Sequence, residues 1–400
     1  MKPIKFIFLL VLVTQTVFAQ RAAVNQFAAI DRKALQLPDS LTNTTDQIVT
    51  YITSNFETDN DRVRAIFIWI ASNIEYDIDN MFAINFHETR EERIEKSLRT
   101  RKGICENYAA LFTDICTKVG IKSFVISGYT KQNGVVDNIP HAWNAAFIEG
   151  SWFLFDPTWG SGHVSNRRFV RRINNDYFKV RPETLIRSHM PFDYLWQFLE
   201  YPITNREFYD GRTQQDRTKP FFNFNDTLQF FQEMSHIDQL ISSADRIEKN
   251  GVINSLVFDK LRQLRLEIEN YKQTEIVNLH NHNVDLYNSS VVDYNDAINY
   301  YNEFINYKNR QFTPMKTDPE IQEMLNLVSN KLQEAKIKLE QISNPDANML
   351  NLIRQLTRSI DDVSNQLKEQ QTWLKQYFSR GRLGRRSMFH RVTWFGIPLN

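Results

Sequence analysis

Cys105, His141 and Asp156 are the residues of this chain whose types and spacing could carry nucleophilic catalysis. Gly103 permits a tight approach into a helix that begins near Cys105, which places the thiol in the first turn. There the unpaired backbone N–H groups and the helix dipole favour an anion. A thiol at such a site, close to a histidine, drops from about 8.5 towards 3.5–7.5, and the thiolate is the nucleophile. The same N–H groups would stabilise an oxyanion formed by attack at the sulfur. Taken alone, a cysteine at a helix start fits a structural role equally well.

The partners come from a hairpin. Ala142 to Ile148 and Trp152 to Phe155 read as short strands joined by Glu149 and Gly150, a two-residue turn signal. With Ile148 opposite Ser151, the ladder continues until Trp143 faces Asp156. His141 lies two residues from Trp143 and so projects from the same sheet face as Asp156. As diagonal neighbours at roughly 7–8 Å they are within reach of a His–Asp hydrogen bond. A slip of one residue would break the pairing. In this register His141 serves as general base and acid, with Asp156 holding its tautomer.

The elements that must position these residues are legible around them. Apolar positions Ile48, Ile52 and Phe56, then Val63, Ile66, Phe67 and Ile70, recur at helical spacing, with Asp59 or Asp61 as a cap. Residues 103–119 read as a helix stopping at Gly120, and Phe124 to Tyr129 as a further strand. One long buried helix beside antiparallel strands is an α+β arrangement. Residues 166–224, rich in aromatic residues, Arg and Pro, read as an extension and linker. Beyond them the stripes Val284 to Ile305, Ile321 to Ile342 and Met349 to Tyr377 alternate at spacings of three and four. They predict an α-helical bundle or coiled-coil domain over 225–379.

The chain has 400 residues, enough for more than one core, with 42% hydrophobic and 24% charged residues. A formal net charge of +1 gives no global pull towards nucleic acid. Lys2 and Lys5, the apolar run Ile7 to Val13 and Val17-Phe18-Ala19 form a leader over 1–19, followed by an N-terminal segment at 20–45. The expectation is cleavage after Ala19, a secreted or periplasmic location and no transmembrane anchor. The two cysteines, Cys105 and Cys116, would lie on one helix roughly 16 Å apart, too far for a disulfide. Cys116 then reads as a small buried hydrophobe.

Three blocks together resemble the transglutaminase-like superfamily: Gly103 to Ala109, Pro140 to Asn144 and Trp152 to Gly160. The resemblance implies a papain-like core over 46–165, with Cys105 as nucleophile on the central helix and His141 and Asp156 on adjacent strands. Arg64 to Ile70 with Tyr76-Asp77, then Tyr177-Phe178, His189 to Pro191 and Trp196 to Leu199, resemble the kyphoscoliosis peptidase branch. Asn107 departs from the family, which often has glycine there, and its side chain is expected to narrow the cleft beside Cys105. Trp143 and Trp159 either roof the site or pack the core. His189 either lines the cleft or packs the extension.

Neither a cofactor nor a metal is expected; His280 and His282 are two apart on a helix and point to different faces. The implied activity is that of a cysteine peptidase or amidase on a protein or peptide substrate. The alternatives are a cross-linking acyltransferase and a non-catalytic scaffold. The helical domain offers a surface for a protein partner, and the basic aromatic tail at 380–400, with Trp394 and Phe395, one for a membrane surface.

Overall fold

The computed structural model describes residues 26–81 and 88–389. The leader at 1–19, the start of the segment at 20–45, and Trp394 and Phe395 of the tail lie outside the described residues. The chain forms two compact units, joined after Ile268.

The first unit opens with helices α1 (Ala28–Ala34), α2 (Thr45–Asn55) and α3 (Asp59–Asn73). Thr44 caps α2 and Thr58 caps α3 through their side-chain oxygens, the latter where Asp59 or Asp61 was expected to act. Strand β1 (Glu75–Tyr76) precedes α4 (Arg90–Thr100), and β2 (Lys102–Gly103) leads into α5 (Cys105–Lys118). β1 and β2 pair in parallel, with Tyr76 beside Gly103, and this short ladder aims the chain into α5. Helix α5 is buried on nearly every side, as a central helix must be.

Strands β3 (Ser123–Gln132), β4 (Val135–Ile148) and β5 (Ser151–Phe155) follow as an antiparallel meander. Glu149 and Gly150 both have positive φ, 51° and 78°, the geometry of a two-residue turn matching the strand twist. The register is the expected one: Ile148 pairs with Ser151 and Asn144 with Phe155. Residues 135–141, not foreseen as strand, extend β4 at its start. Helix α6 (Pro157–Ser161) and the hairpin β6 (Gly162–Ser165) and β7 (Arg168–Arg171) come next.

The extension contributes α7 (Pro182–Leu185), β8 (His189–Pro191) and α8 (Asn205–Tyr209). β8 joins the sheet, whose order is β5-β4-β3-β8. Gly128 lets it approach, because a Cβ there would meet the Met190 carbonyl and the Trp143 ring. One face of the sheet, including Ala146, Ile148 and Phe155, packs on α2, α3 and α5. The other, with Ile126, Trp143, Ala145 and Leu154, is covered by Leu185, Leu195 and Phe198 of the extension. Two-sided burial explains why β4 reads as an apolar run with little alternation.

Helices α9 (Phe224–Glu233) and α10 (His236–Lys249) and the start of α11 (Ser255–Asn309) also belong to this unit. Ala244, Ile247, Val257 and Leu261 share a core with Tyr129, Met190 and Phe208. Arg246 on α10 donates to both carboxylate oxygens of the buried Asp193 at 2.7 Å. The unit therefore runs past residue 224, where the composition changes and the helical domain was expected to begin. Helical periodicity identifies an apolar face without saying which core it joins.

In the second unit α11 continues, followed by α12 (Asp318–Glu340), α13 (Ala347–Phe378) and α14 (Arg382–Ser387). Its buried positions include Ile321, Leu325, Val328, Leu332, Ala335 and Leu339, facing Leu356, Ile360, Val363, Leu367 and Leu374. These fall on the stripes read from spacing. Asp293 on α11 is held by Lys331 and Lys338 of α12.

Candidate active site

Cys105 is the first residue of α5 and is buried, at 8% exposure. Asn107 closes the helix start: its Oδ1 accepts from the Ile104 N–H at 3.0 Å, and its Nδ2 donates to the Arg93 carbonyl at 3.2 Å. The side chain thus folds back as a cap, in addition to the cleft position expected of it; an amide three residues into a helix is well placed to take an unpaired N–H. A polar recess of about 230 Å³ lies alongside, lined by Asp77, Arg93, Lys102, Ile104, Glu106 and Asn107.

Asp156 stands one residue past β5 and caps α6. Its Oδ1 accepts from the N–H groups of Thr158 at 2.9 Å and Trp159 at 3.0 Å. Its Oδ2 accepts from His141 Nε2 at 2.8 Å. The carboxylate is closed to solvent. Burial disfavours its charge, but the facing His141 cation and the imidazole hydrogen bonds outweigh this and hold Asp156 well below the usual carboxylate range.

His141 is drawn the other way. Burial favours the neutral ring, yet the Asp156 carboxylate, and after it the nearby Cys105 sulfur, raise its pKa to about 10. With Nε2 committed to Asp156, Nδ1 is the atom left to face the sulfur. Asn144 ties the strand to the helix beneath: its amide donates to the Ala109 carbonyl at 2.8 Å and to Thr113 Oγ1 at 2.9 Å. The structure brings His141 and Asp156 together as their spacing implies, with Cys105 near enough to His141 to affect its proton affinity.

The two tryptophans separate. Trp143 is fully buried, stacked on His141 with centroids 6.1 Å apart, and belongs to the core behind the histidine. Trp159 is half-buried, its ring 5.5 Å from His141, and forms the wall that reaches the surface. His189, expected either to line the cleft or to pack the extension, reaches the carboxylate instead. It is 1% exposed, and its Nε2 sits 3.0 Å from Asp156 Oδ2, so two imidazoles share one carboxylate oxygen. Burial pulls its proton affinity down, and His141 adds to this against the pull of Asp156. It does not line an open cleft. Tyr76, half-buried beside Gly103, is a further neighbour: burial and then the charges at Cys105 and Asp156 push its hydroxyl up.

His141, Asp156 and His189 offer ligand atoms within 4.8 Å of one another, a donor set able to take a metal ion. Here those nitrogens already donate to the carboxylate, and Asp156 and His189 are shut off from solvent. Holding a metal would mean exchanging these hydrogen bonds for coordination.

A helix opening on a cysteine is set against an antiparallel sheet carrying histidine, with aspartate one residue past its edge strand. Residues 46–157 match the family model of the Transglutaminase-like superfamily, so the chain carries a transglutaminase-like domain. Over 193 residues it is 35% identical to human kyphoscoliosis peptidase, covering 46% of this chain and 28% of that protein. Hillarin of Drosophila melanogaster is 29% identical over 203 residues, 46% of this chain and 24% of that protein. The chain spans less than a third of the length of these relatives. Among solved structures, the periplasmic domain of TgpA from Pseudomonas aeruginosa is 20% identical, covers 33% of this chain and 48% of its own, and has a TM-score of 0.25. Among the described residues no helix is long and apolar enough to cross a membrane.

Proposed function

We propose that the protein is an exported thiol enzyme acting on peptide or amide bonds through Cys105, His141 and Asp156. The observation that carries this reading is the buried 2.8 Å contact between His141 and Asp156, with Cys105 near enough to help raise the histidine's proton affinity. A protonated imidazole beside the sulfur favours negative charge there. The sulfur attacks the carbonyl carbon, and the π pair moves onto oxygen, towards the N–H groups left unpaired at the start of α5. As the tetrahedral species collapses, the C–N bond breaks and His141 passes its Nδ1 proton to the leaving amine. Water then adds to the thioester, giving its proton to His141, and the C–S bond breaks to release the acid.

Hydrolysis is preferred to amine transfer because a relative matched at 35% identity is named a peptidase. The amine-transfer reading draws on the name of the matching family. Peptide libraries, with and without a primary amine at tens of millimolar, separate the two. Cleaved peptide or free acid in the presence of amine supports hydrolysis; amine incorporation as the main product overturns it. Loss of either product in Cys105→Ala ties the chemistry to this sulfur, and retention would sink the reading. Export rests on residues 1–19, and a mature N-terminus at Gln20 is the expected result of mass analysis on secreted material. The helical unit is assigned to recruiting a protein partner or substrate, which copurification with and without it would test.

A further inference from the structure

His189 is a buried polar side chain that the mechanism above does not use. Its ring is enclosed by Trp143, Trp159 and Tyr177, with centroids 5.1, 4.7 and 6.0 Å away. At 1% exposure it cannot touch a substrate. An apolar side chain would suit this aromatic box without the cost of desolvating two nitrogens. Both nitrogens are nonetheless used. Nε2 lies 3.0 Å from Asp156 Oδ2, and Nδ1 lies 2.8 Å from the Ser188 hydroxyl. Because Asp156 can only accept, Nε2 carries the proton; in the neutral ring Nδ1 accepts from Ser188. The carboxylate therefore fixes the tautomer, and the Ser188 hydroxyl, able to donate or accept, satisfies the other nitrogen.

We propose that His189 is a positioning residue, acting on the Cys105–His141 pair through the carboxylate it shares with His141. This rests on the thiol-enzyme reading above and deepens it. A carboxylate has about four acceptor positions. Thr158 and Trp159 occupy those of Oδ1, and His141 and His189 those of Oδ2. With all four filled, Asp156 cannot rotate, and the His141 ring is fixed towards the sulfur. A neutral donor suits this task because it leaves the charge of Asp156 to His141. The charged groups facing His189 are Asp156 and Asp137, which favour its protonation, and His141, which opposes it together with burial. Acid that protonates His189 sets two cations against one carboxylate and weakens the hold on His141.

β8 brings His189 to this position by pairing Thr130 of β3 with His189. The extension thus completes the site as well as covering the sheet, and that is the function we assign to the His189-Met190-Pro191 segment.

The test uses the full chain and needs no substrate. Alkylation of Cys105 by iodoacetamide is followed from pH 4 to 9 by peptide mapping, alongside the imidazole ¹H–¹⁵N resonances of His141. His189→Leu is expected to slow alkylation near pH 6 by about 10- to 100-fold, the range for losing a group that orients a functional side chain. The low-field Nε2 proton of His141 should then exchange with water. His189→Gln supplies an N–H at similar reach without titrating. It should recover most of the rate, and its acid limb should extend to lower pH. Wild-type alkylation and an unchanged His141 resonance in His189→Leu overturn the proposal, as does equal slowing by both substitutions with an unshifted pH profile, which is the mark of packing alone. If His189→Leu does not fold, His189→Gln decides: an acid limb extended to lower pH supports positioning, and a wild-type profile with an unchanged His141 resonance overturns it. A wild-type protein that alkylates selectively at Cys105 yet forms no acyl product would defeat the enzyme reading while leaving this result standing.

Discussion

At the first turn of α5, Cys105 meets His141 and, through it, a carboxylate closed to solvent. Three turns on, Cys116 is fully buried in the apolar core with Leu111, Phe112 and Ile115, and burial pushes its thiol up. Both cysteines are free and both are buried, so burial does not separate them. What differs is the partner. One end of the helix has unpaired N–H groups and an imidazole that keeps its proton. The other has only hydrocarbon, which penalises a charged sulfur.

The comparison breaks most directly by substitution. Cys105→Ala should abolish turnover and alkylation of the folded protein, while Cys116→Ala leaves both near wild type. Selective labelling of Cys116 by limiting iodoacetamide near pH 6 would reverse the assignment. Next in size is Asp156→Asn. Loss of the orienting carboxylate in a serine triad costs about four orders of magnitude in turnover. A smaller loss in kcat is expected here, because a thiolate is less dependent on the base, with KM little changed. The new amide would also point N–H groups at two imidazole donors, so His141 must give up its Nε2 proton and His189 must change tautomer. Wild-type kcat in this variant would show that the contact with Asp156 is idle.

The pH dependence sharpens the contrast. Cys105 should alkylate in the native protein at mildly acid pH, and Cys116 only once denaturant opens the core. His141 has its folded pKa raised to about 10. The stability it contributes is therefore complete below its unfolded value near 6.5 and is lost as pH rises through about 10. His189 is shifted down, so its sign is opposite: as pH falls below 6.5 the unfolded chain binds a proton that the folded one refuses. Asp156, shifted down by its partners, holds its contribution above about 4 and loses it in stronger acid. Unfolding free energy should peak near pH 6 to 7. His141→Gln should flatten the alkaline side and His189→Gln the acid side in denaturant titrations; a pH-independent difference from wild type would refute the assignment.

The smallest effects concern the scaffold. Arg246→Met leaves the buried Asp193 unpaired and should cost about 3 kcal/mol in chemical denaturation. Asn107→Ala removes the cap at the start of α5 and should cost about 1 kcal/mol while leaving Cys105 reactive. A large change in alkylation rate for Asn107→Ala would mean that the cap also sets the position of the sulfur.

Much of the site was legible because its determinants are local. Gly103 before Cys105 marks a helix start, and the Glu149-Gly150 turn sets a register that delivers His141 to Asp156. Trp143 was not settled in the same way. Parity puts it beside His141, but whether that face meets solvent depends on the extension, which covers it. The capping role of Asn107 was missed because its partners, the Ile104 N–H and the Arg93 carbonyl, come together only in the fold. The join between the units was set too early for a related reason: α10 carries an amphipathic face like those of α12 and α13, yet its Ala244 and Ile247 serve the sheet unit.

Chain-local rules, three or four residues to a helical turn and two to a strand repeat, were enough to determine from sequence alone that a cysteine opens a helix and that histidine and aspartate share one hairpin face. Only the tertiary structure decided that a second histidine, 33 positions beyond Asp156, completes the coordination of the same carboxylate. It arrives on β8, which reaches the sheet by pairing with β3 rather than with a sequence neighbour. A contact of that kind is set by how the extension packs over the sheet, and no periodicity along the chain records it.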